Sequence, residues 1–194
     1  MTDKRVEIVS EKDVFERLFF KVTEAHLRHQ LNSGDMSDEL VRLSLERGDG
    51  AAAILHDVAA KTVILVEQFR YPAYLHESGW LLELPAGIVT KEEDPPKTIK
   101  RELLEETGYK IDAPQHVFTF YTSPGGTSER IFLYYARVTP ADRVAEGGGL
   151  PAEKEDIRIL TMKIDEALEK VRSGQIVDAK TIIGLQWLEN HQND

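Results

Sequence analysis

Gly87-Ile-Val-Thr-Lys-Glu-Glu93-Asp-Pro-Pro-Lys-Thr-Ile-Lys-Arg101-Glu102-Leu-Leu-Glu105-Glu106-Thr-Gly108-Tyr109 sets the reading of the whole chain. Asp94 followed by Pro95 and Pro96 is a helix start, an N-cap acceptor with proline in the first turn. Gly108 is the residue type preferred just past a helix end, so the spacing predicts a helix running through Glu106. On that helix Glu102 and Glu106 stand four residues apart and Glu105 three from Glu102, which puts all three carboxylates on one face. Like charges at that spacing cost roughly a few tenths of a kcal/mol per pair. The helix dipole also disfavours anions in the last turn. A cluster placed against both effects makes sense if a divalent cation neutralises it. Hard carboxylate donors with no His or Cys in the stretch favour Mg²⁺, with Mn²⁺ as the alternative, over zinc. The plain alternative is a solvated acidic face, relieved by an Arg101–Glu105 pair at i, i+4.

Outward from this stretch the chain alternates strand and helix signals. Trp80–Leu84 is a short strand ending in Pro85-Ala86-Gly87, and the apolar runs Ala51–His56 and Lys61–Phe69 precede it. Their continuous apolar character predicts strands covered on both faces. Val117–Thr122 and Glu129–Val138 flank the turn Ser123-Pro124-Gly125-Gly126, and Gly147-Gly148-Gly149 opens an acidic loop. Asp156–Met162 returns as a strand, and Ile164–Arg172 and Asp178–His191 read as amphipathic helices. Residues 1–47 read as a strand-rich arm, with Phe19–His29 and Glu39–Glu46 alternating on either side of the turn Asn32-Ser33-Gly34-Asp35. Two or three strands with one apolar face are not stable alone, so that face needs a partner surface. Mixed strands with helices between and after them predict an α/β or α+β sandwich, divided into the arm over 1–47 and a main domain over 48–194.

Composition narrows the function classes. The 194 residues carry 34 Asp and Glu against 24 Lys and Arg, a formal net charge of −10. That balance disfavours a phosphate-tracking surface and hence nucleic acid as the main partner. An anionic substrate would need local cations, from Arg or from a metal. There is no cysteine, which excludes thiol redox chemistry, zinc thiolate sites and disulfide frameworks. The N-terminus is charged from its third residue with no apolar segment after it, and no apolar run approaches a membrane span. A cytoplasmic protein with no membrane partner is the expectation.

Gly87, Glu93, Arg101, Glu102, Glu105, Glu106 and Gly108 stand in the spacing G-x5-E-x7-R-E-U-x-E-E-x-G-U, with Leu103 as the first apolar U. This resembles the Nudix box. At average residue usage the seven fixed positions would match by chance at about 10⁻⁶ over a chain of this length. The one departure is Tyr109 at the last apolar position, where packing is the only requirement. The resemblance implies a Nudix α/β/α sandwich with a mixed β-sheet and a loop–helix–loop whose glutamates bind divalent ions on a substrate diphosphate. Carried over, Glu102, Glu106 and the carbonyl of Ala86 are expected metal ligands, Glu105 assists, and Arg101 holds the carboxylates in place.

Residues outside the box resemble the Nudix enzymes acting on ADP-ribose. Pro124 lies 15 residues past the box end, and the run Tyr121-Thr-Ser-Pro-Gly-Gly-Thr-Ser-Glu-Arg130 is similar to the corresponding segment of bacterial members. So are Arg28-His29, Gly34-Asp35-Met36-Ser37, Glu46-Arg47-Gly48 and Ile183–Leu188, and the GDP-mannose-hydrolysing group shares part of the pattern. The resemblance implies that Glu153 is the general base and Glu155 a ligand arriving with closure of the Gly-rich loop. It implies that Arg70 binds the diphosphate and Phe19 stacks on the base, while Arg42 reaches in from a second subunit. Pro124 and Gly125 would line the substrate, and Glu129 would touch the terminal sugar. The expectation is therefore a Mg²⁺-dependent pyrophosphatase acting on a nucleoside diphosphate sugar, ADP-ribose first and GDP-mannose as the alternative. It would work as a homodimer with shared active sites. A non-hydrolysing ADP-ribose-binding regulator of the same family would have lost box carboxylates, and all of them are present. A nucleotide-sanitising or cap-hydrolysing enzyme is disfavoured by Pro124 and by the arm.

Overall fold

A computed structural model of the chain describes residues 4–150, 152 and 154–192. Its contacts separate two compact units, one made of the chain up to Gly48 with Tyr121–Arg130, the other of Asp49–Phe120 with the chain from Ile131 onward.

The first unit holds a three-stranded antiparallel sheet of β1 (Val6–Arg17), β2 (Phe20–His29) and β3 (Leu40–Glu46), in that order. Cross-strand apolar pairs such as Ile8 with Leu27, Phe15 with Val22 and Val22 with Leu45 set its register. Much of its apolar surface stays exposed, including Val6, Ile8, Val14, Phe15, Val41 and Leu43. β1 is the longest strand of the chain, yet period-2 reading does not find it. Two register shifts, between Ile8 and Ser10 and between Asp13 and Phe15, interrupt its alternation.

The second unit is built on a mixed sheet. β4 (Gly50–Asp57) and β5 (Thr62–Phe69) are the two apolar runs, paired antiparallel at its centre. A one-turn helix α1 (Tyr71–Tyr74) separates β5 from β6 (Trp80–Glu83), which pairs back onto β5, and β7 (Ala86–Ile88) pairs with β4. After the long helix α2 (Pro95–Thr107) come β8 (Gln115–Tyr121), β9 (Arg130–Arg137) and β10 (Arg158–Lys163). The strand order is β10-β5-β4-β9-β8, and β9 lies parallel to β4 while β10 is antiparallel to β5.

Alternation along β4 feeds two cores. Ala51, Ala53 and Leu55 meet Ile99 and Leu103 of α2 on one face. Ala52 and Ile54 meet Ala167 and Leu168 of α3 (Ile164–Arg172) and Leu185 and Leu188 of α4 (Ala179–Glu189) on the other. Helices on both faces of a mixed sheet make the expected α/β/α sandwich. Two details differ from the sequence reading. The short β7 and α1 carry too few residues to show a period. Helix α4 is not amphipathic: Ile182, Ile183 and Trp187 pack as well as its buried face, and Gly184 sits where a Cβ would come within 2.6 Å of Leu84. No helix among the described residues is long and apolar enough to cross a membrane.

Candidate active site

The box helix is pinned at both ends, and that fixes its carboxylates. Asp94 caps α2 by accepting from the Lys97 N–H at 3.0 Å, and Gly108 ends it in the left-handed region at φ 76°. Ile99 and Leu103 are fully buried, each worth about 1.5–3 kcal/mol of apolar burial. The last turn is then clasped from outside. Gly148 and Gly149 donate their N–H groups to the carbonyls of Glu106 and Glu105, at 2.8 and 3.1 Å, and Val144 donates to Gly108 at 2.9 Å. These donors satisfy carbonyls that a helix end leaves open. Gly147, Gly148 and Gly149 all have positive φ, and a Cβ on Gly147 would collide with Thr107 and Glu106 backbone. The three glycines therefore anchor the start of the acidic loop to the box helix.

Glu106 is buried, 2% exposed, and accepts from the Ala86 N–H at 2.9 Å. Burial pushes its carboxyl up to about 8, against the Ala86 hydrogen bond, with Glu102 and Glu155 adding like charge. Glu102 lies against Gly87, where a Cβ would fall 2.0 Å from its carboxyl carbon, so the glycine of the box is the seat of that carboxylate. Burial raises Glu102 to about 7, opposed by Arg101 and reinforced by Glu105 and Glu155. Arg101 joins the acids: it reaches Glu93 at 3.2 Å, Glu102 at 2.9 Å and Glu105 at 2.8 Å. The i, i+4 pair with Glu105 is thus present, but as one arm of a three-carboxylate hub. Glu155 accepts from the Leu150 N–H at 3.0 Å, and its charge acts on both Glu102 and Glu106. Glu153 lies outside the described residues.

The donor chemistry fits a hard divalent cation: buried carboxylates of like charge, raised toward neutrality where no cation offsets them. Among the described residues no three His, Cys, Asp or Glu side chains converge closely enough to hold an ion as they stand. Each acid instead turns to a protein donor: Glu102 and Glu105 to Arg101, Glu106 to Ala86, Glu155 to Leu150. A cation would have to draw them from those partners.

Arg70, at the end of β5, is an ion-paired residue and not a loose surface arginine. Its Nε and one terminal nitrogen lie 2.9 and 2.8 Å from Glu83. Burial disfavours its charge, yet Glu83, and more weakly Glu106 and Asp178, keep its pKa above the ordinary value. Glu83 and its second cation, Lys180 at 3.0 Å, are residues that sequence reasoning missed. The available signal was a single acid at position 83 flanked by leucines in Leu81-Leu82-Glu83-Leu84. A cavity of about 660 Å³, lined by His116, Arg137, Trp187 and His191 among others, lies at the far end of β9 and includes none of these groups.

The remaining predicted residues fall in the first unit. Phe19 sits in the turn between β1 and β2 and is exposed, stacked at a tilt on Phe20 with ring centroids 4.4 Å apart, so it is not core. Arg42, on β3, is exposed and donates to the Val41 carbonyl at 2.9 Å. Pro124 and Gly125 occupy the exposed turn after β8, whose Gly126 carbonyl accepts from Leu45 N–H at 2.8 Å. Glu129 accepts from the Thr122 hydroxyl at 3.0 Å and lies 3.5 Å from Arg47.

The chain matches the NUDIX domain over residues 46–182. It is 41% identical over 189 residues to a GDP-mannose pyrophosphatase of Cronobacter sakazakii, covering 95% of each chain. An ADP-ribose pyrophosphatase of Escherichia coli is 37% identical over 189 residues, covering 96% of this chain and 88% of its own. A GDP-mannose pyrophosphatase of Escherichia coli is 38% identical over 146 residues, 74% of this chain and 75% of its own. The matched span contains the pinned helix, the Gly87 seat and the glycine clasp: the chain belongs to the Nudix hydrolase family.

Proposed function

We propose that this enzyme hydrolyses the diphosphate of a nucleoside diphosphate sugar in a Mg²⁺-dependent reaction, with ADP-ribose giving AMP and ribose 5-phosphate as the first substrate. The observation that carries the reading is the pair of buried carboxylates, Glu102 and Glu106, held against Ala86 and Gly87 at the start of β7 with Arg70 in electrostatic reach. Glu102, Glu106, Glu155 and the Ala86 carbonyl would hold Mg²⁺, with Mn²⁺ as a substitute. When bound, the metal supplies Lewis-acid polarisation of the diphosphate and makes water more acidic.

The chain's own residues do the rest. Arg70 presents a guanidinium to the diphosphate, a planar donor suited to phosphate oxygens. Arg101 keeps Glu102 and Glu105 apart and aligned. Glu153 takes the proton of the attacking water as the new O–P bond forms and the bridging P–O bond breaks. Phe19, Pro124, Gly125 and Glu129 would frame the base and sugar. Arg42 would enter from a second copy, in a homodimer that covers the apolar face of the arm. We place the enzyme in the cytoplasm, where nucleotide sugars are made and spent.

GDP-mannose is the second reading, favoured by the 41% identity to an enzyme named for it across nearly the full length of both chains. Phosphomonoester release from ADP-ribose, GDP-mannose, ADP-glucose and diadenosine diphosphate, with Mg²⁺ and with chelator, tests both. Turnover of the first or second compound, abolished by chelator, is expected. Preference for the dinucleotide, or full activity in chelator, would overturn the proposal.

A further inference from the structure

We infer that Glu83 is a positioning residue for this reaction: with Lys180 behind it, it holds the guanidinium of Arg70 at the angle the diphosphate requires. The inference rests on the proposed role of Arg70. The ion pair is asymmetric in a telling way. The Glu83 side chain is 4% exposed, whereas that of Arg70 is 40% exposed. One edge of the guanidinium is locked onto a dry carboxylate through Nε and one terminal nitrogen, and the other terminal nitrogen takes no part in the pair. The pair buries the carboxylate and leaves the cation half open, within the field of Glu106.

Glu83 is itself fixed from behind. Its other oxygen accepts from Lys180 at 3.0 Å, and Lys180 also contacts Asp178 at 3.1 Å. Asp178 caps α4 by accepting from the N–H and the hydroxyl of Thr181, at 3.0 and 2.6 Å. The Thr181 hydroxyl in turn accepts from the Leu84 N–H at 2.8 Å. The first turn of α4 is thus bolted to consecutive residues, Glu83 and Leu84, and the chain reaches Ala86 two residues later. Arg70, Lys180, Glu83 and Asp178 cancel in formal charge, so the cluster carries no net charge of its own. A buried carboxylate with two charge-assisted partners has little freedom to turn, and the arginine it holds inherits that restriction.

The test is a kinetic cycle on the full chain with ADP-ribose at saturating Mg²⁺. Glu83→Gln should raise KM on the order of tenfold, the size of one charge-assisted hydrogen bond, while kcat stays within about threefold. Glu83→Asp should recover part of the loss, and Lys180→Met should raise KM by a smaller factor. In an Arg70→Ala background Glu83→Gln should add nothing, because it acts through Arg70. An unchanged KM in Glu83→Gln, or equal effects with and without Arg70, would overturn the inference. If Glu83→Gln does not fold by circular dichroism, the same cycle with Lys180→Met decides. A parent that turns over no diphosphate in the panel would sink the functional reading, and the inference with it. A parent that is active while the cycle is additive sinks the inference alone.

Discussion

In the box helix Ile99, Leu103 and Glu106 are buried and the chain is fastened at Asp94, at Gly108 and by the N–H groups of Gly148 and Gly149. In the strand arm Val6, Ile8, Phe15, Phe19, Val41 and Leu43 are exposed, and the Arg42 side chain donates to its neighbour's carbonyl. The box carboxylates proposed to hold the metal therefore sit where packing has already fixed them. The residues proposed for recognising base and sugar sit on β3 and in the turns of a unit with unspent apolar surface. The difference teaches where each group of residues gets its rigidity: the box from its own core, the arm from whatever covers it.

The sharpest way to break this comparison is in the box. Glu106→Gln is expected to abolish most turnover and to weaken Mg²⁺ binding, measured by kinetics across Mg²⁺ concentrations. Gln keeps the shape and the Ala86 contact but cannot become an anion. A variant within about threefold of the parent at saturating Mg²⁺ would remove Glu106 from the metal site.

Next come the two acids of the loop. Glu153→Gln should lower kcat by on the order of 10²–10⁴ with little change in metal affinity, as for a lost general base. Glu155→Gln should instead raise the Mg²⁺ concentration needed for activity. Normal rates in both would leave the segment beyond Leu150 as solvated loop.

What was legible in the sequence follows the same divide. Asp94, Pro95 and Gly108 are local signals, so the box helix could be read to within a residue, and its glutamate spacing carried the chemistry with it. Glu83 was invisible as a site residue because its partners Arg70 and Lys180 lie 13 and 97 residues away, brought together only by the pairing of β6 with β5 and the docking of α4. β1 was obscured by its own bulges. Phe19 has the composition of a core residue and the position of a turn residue, and the left-handed Leu18 before it, at φ 57°, is not a signal that leucine gives.

The arm offers a test of intermediate size. If Arg42 serves the site of a second copy, Arg42→Ala and Glu106→Gln should complement one another when co-expressed, provided each alone is nearly inactive. A mixed dimer would hold one site with both residues intact and one with neither. Random pairing makes about half the dimers mixed, so roughly a quarter of the parent's activity should return. No recovery, in a sample whose mixed dimers are demonstrated by mass, would leave each copy working alone and the arm's exposed face without this role.

The smallest effect is on stability and concerns how the buried box acids are held without metal. Glu106 ionises near 8 in the folded chain, and an exposed glutamate near 4.5. Between those values the unfolded chain has released a proton that the folded chain still holds, so raising the pH favours unfolding. Each unit of raised pKa is worth about 1.4 kcal/mol, an upper bound here because local opening lets water in. In chelator, the melting temperature of the parent should therefore fall relative to that of Glu106→Gln as pH rises from 5 toward 8, and the difference should level off above that. Because Gln does not titrate, the other carboxylates cancel in the comparison, apart from the coupling of Glu106 to Glu102 and Glu155. Saturating Mg²⁺ should reverse the trend, since a cation favours the ionised form that burial penalises. A difference that does not change with pH would mean that Glu106 is ionised in the metal-free fold. Its burial would then be offset by the Ala86 N–H and the Arg70 charge alone.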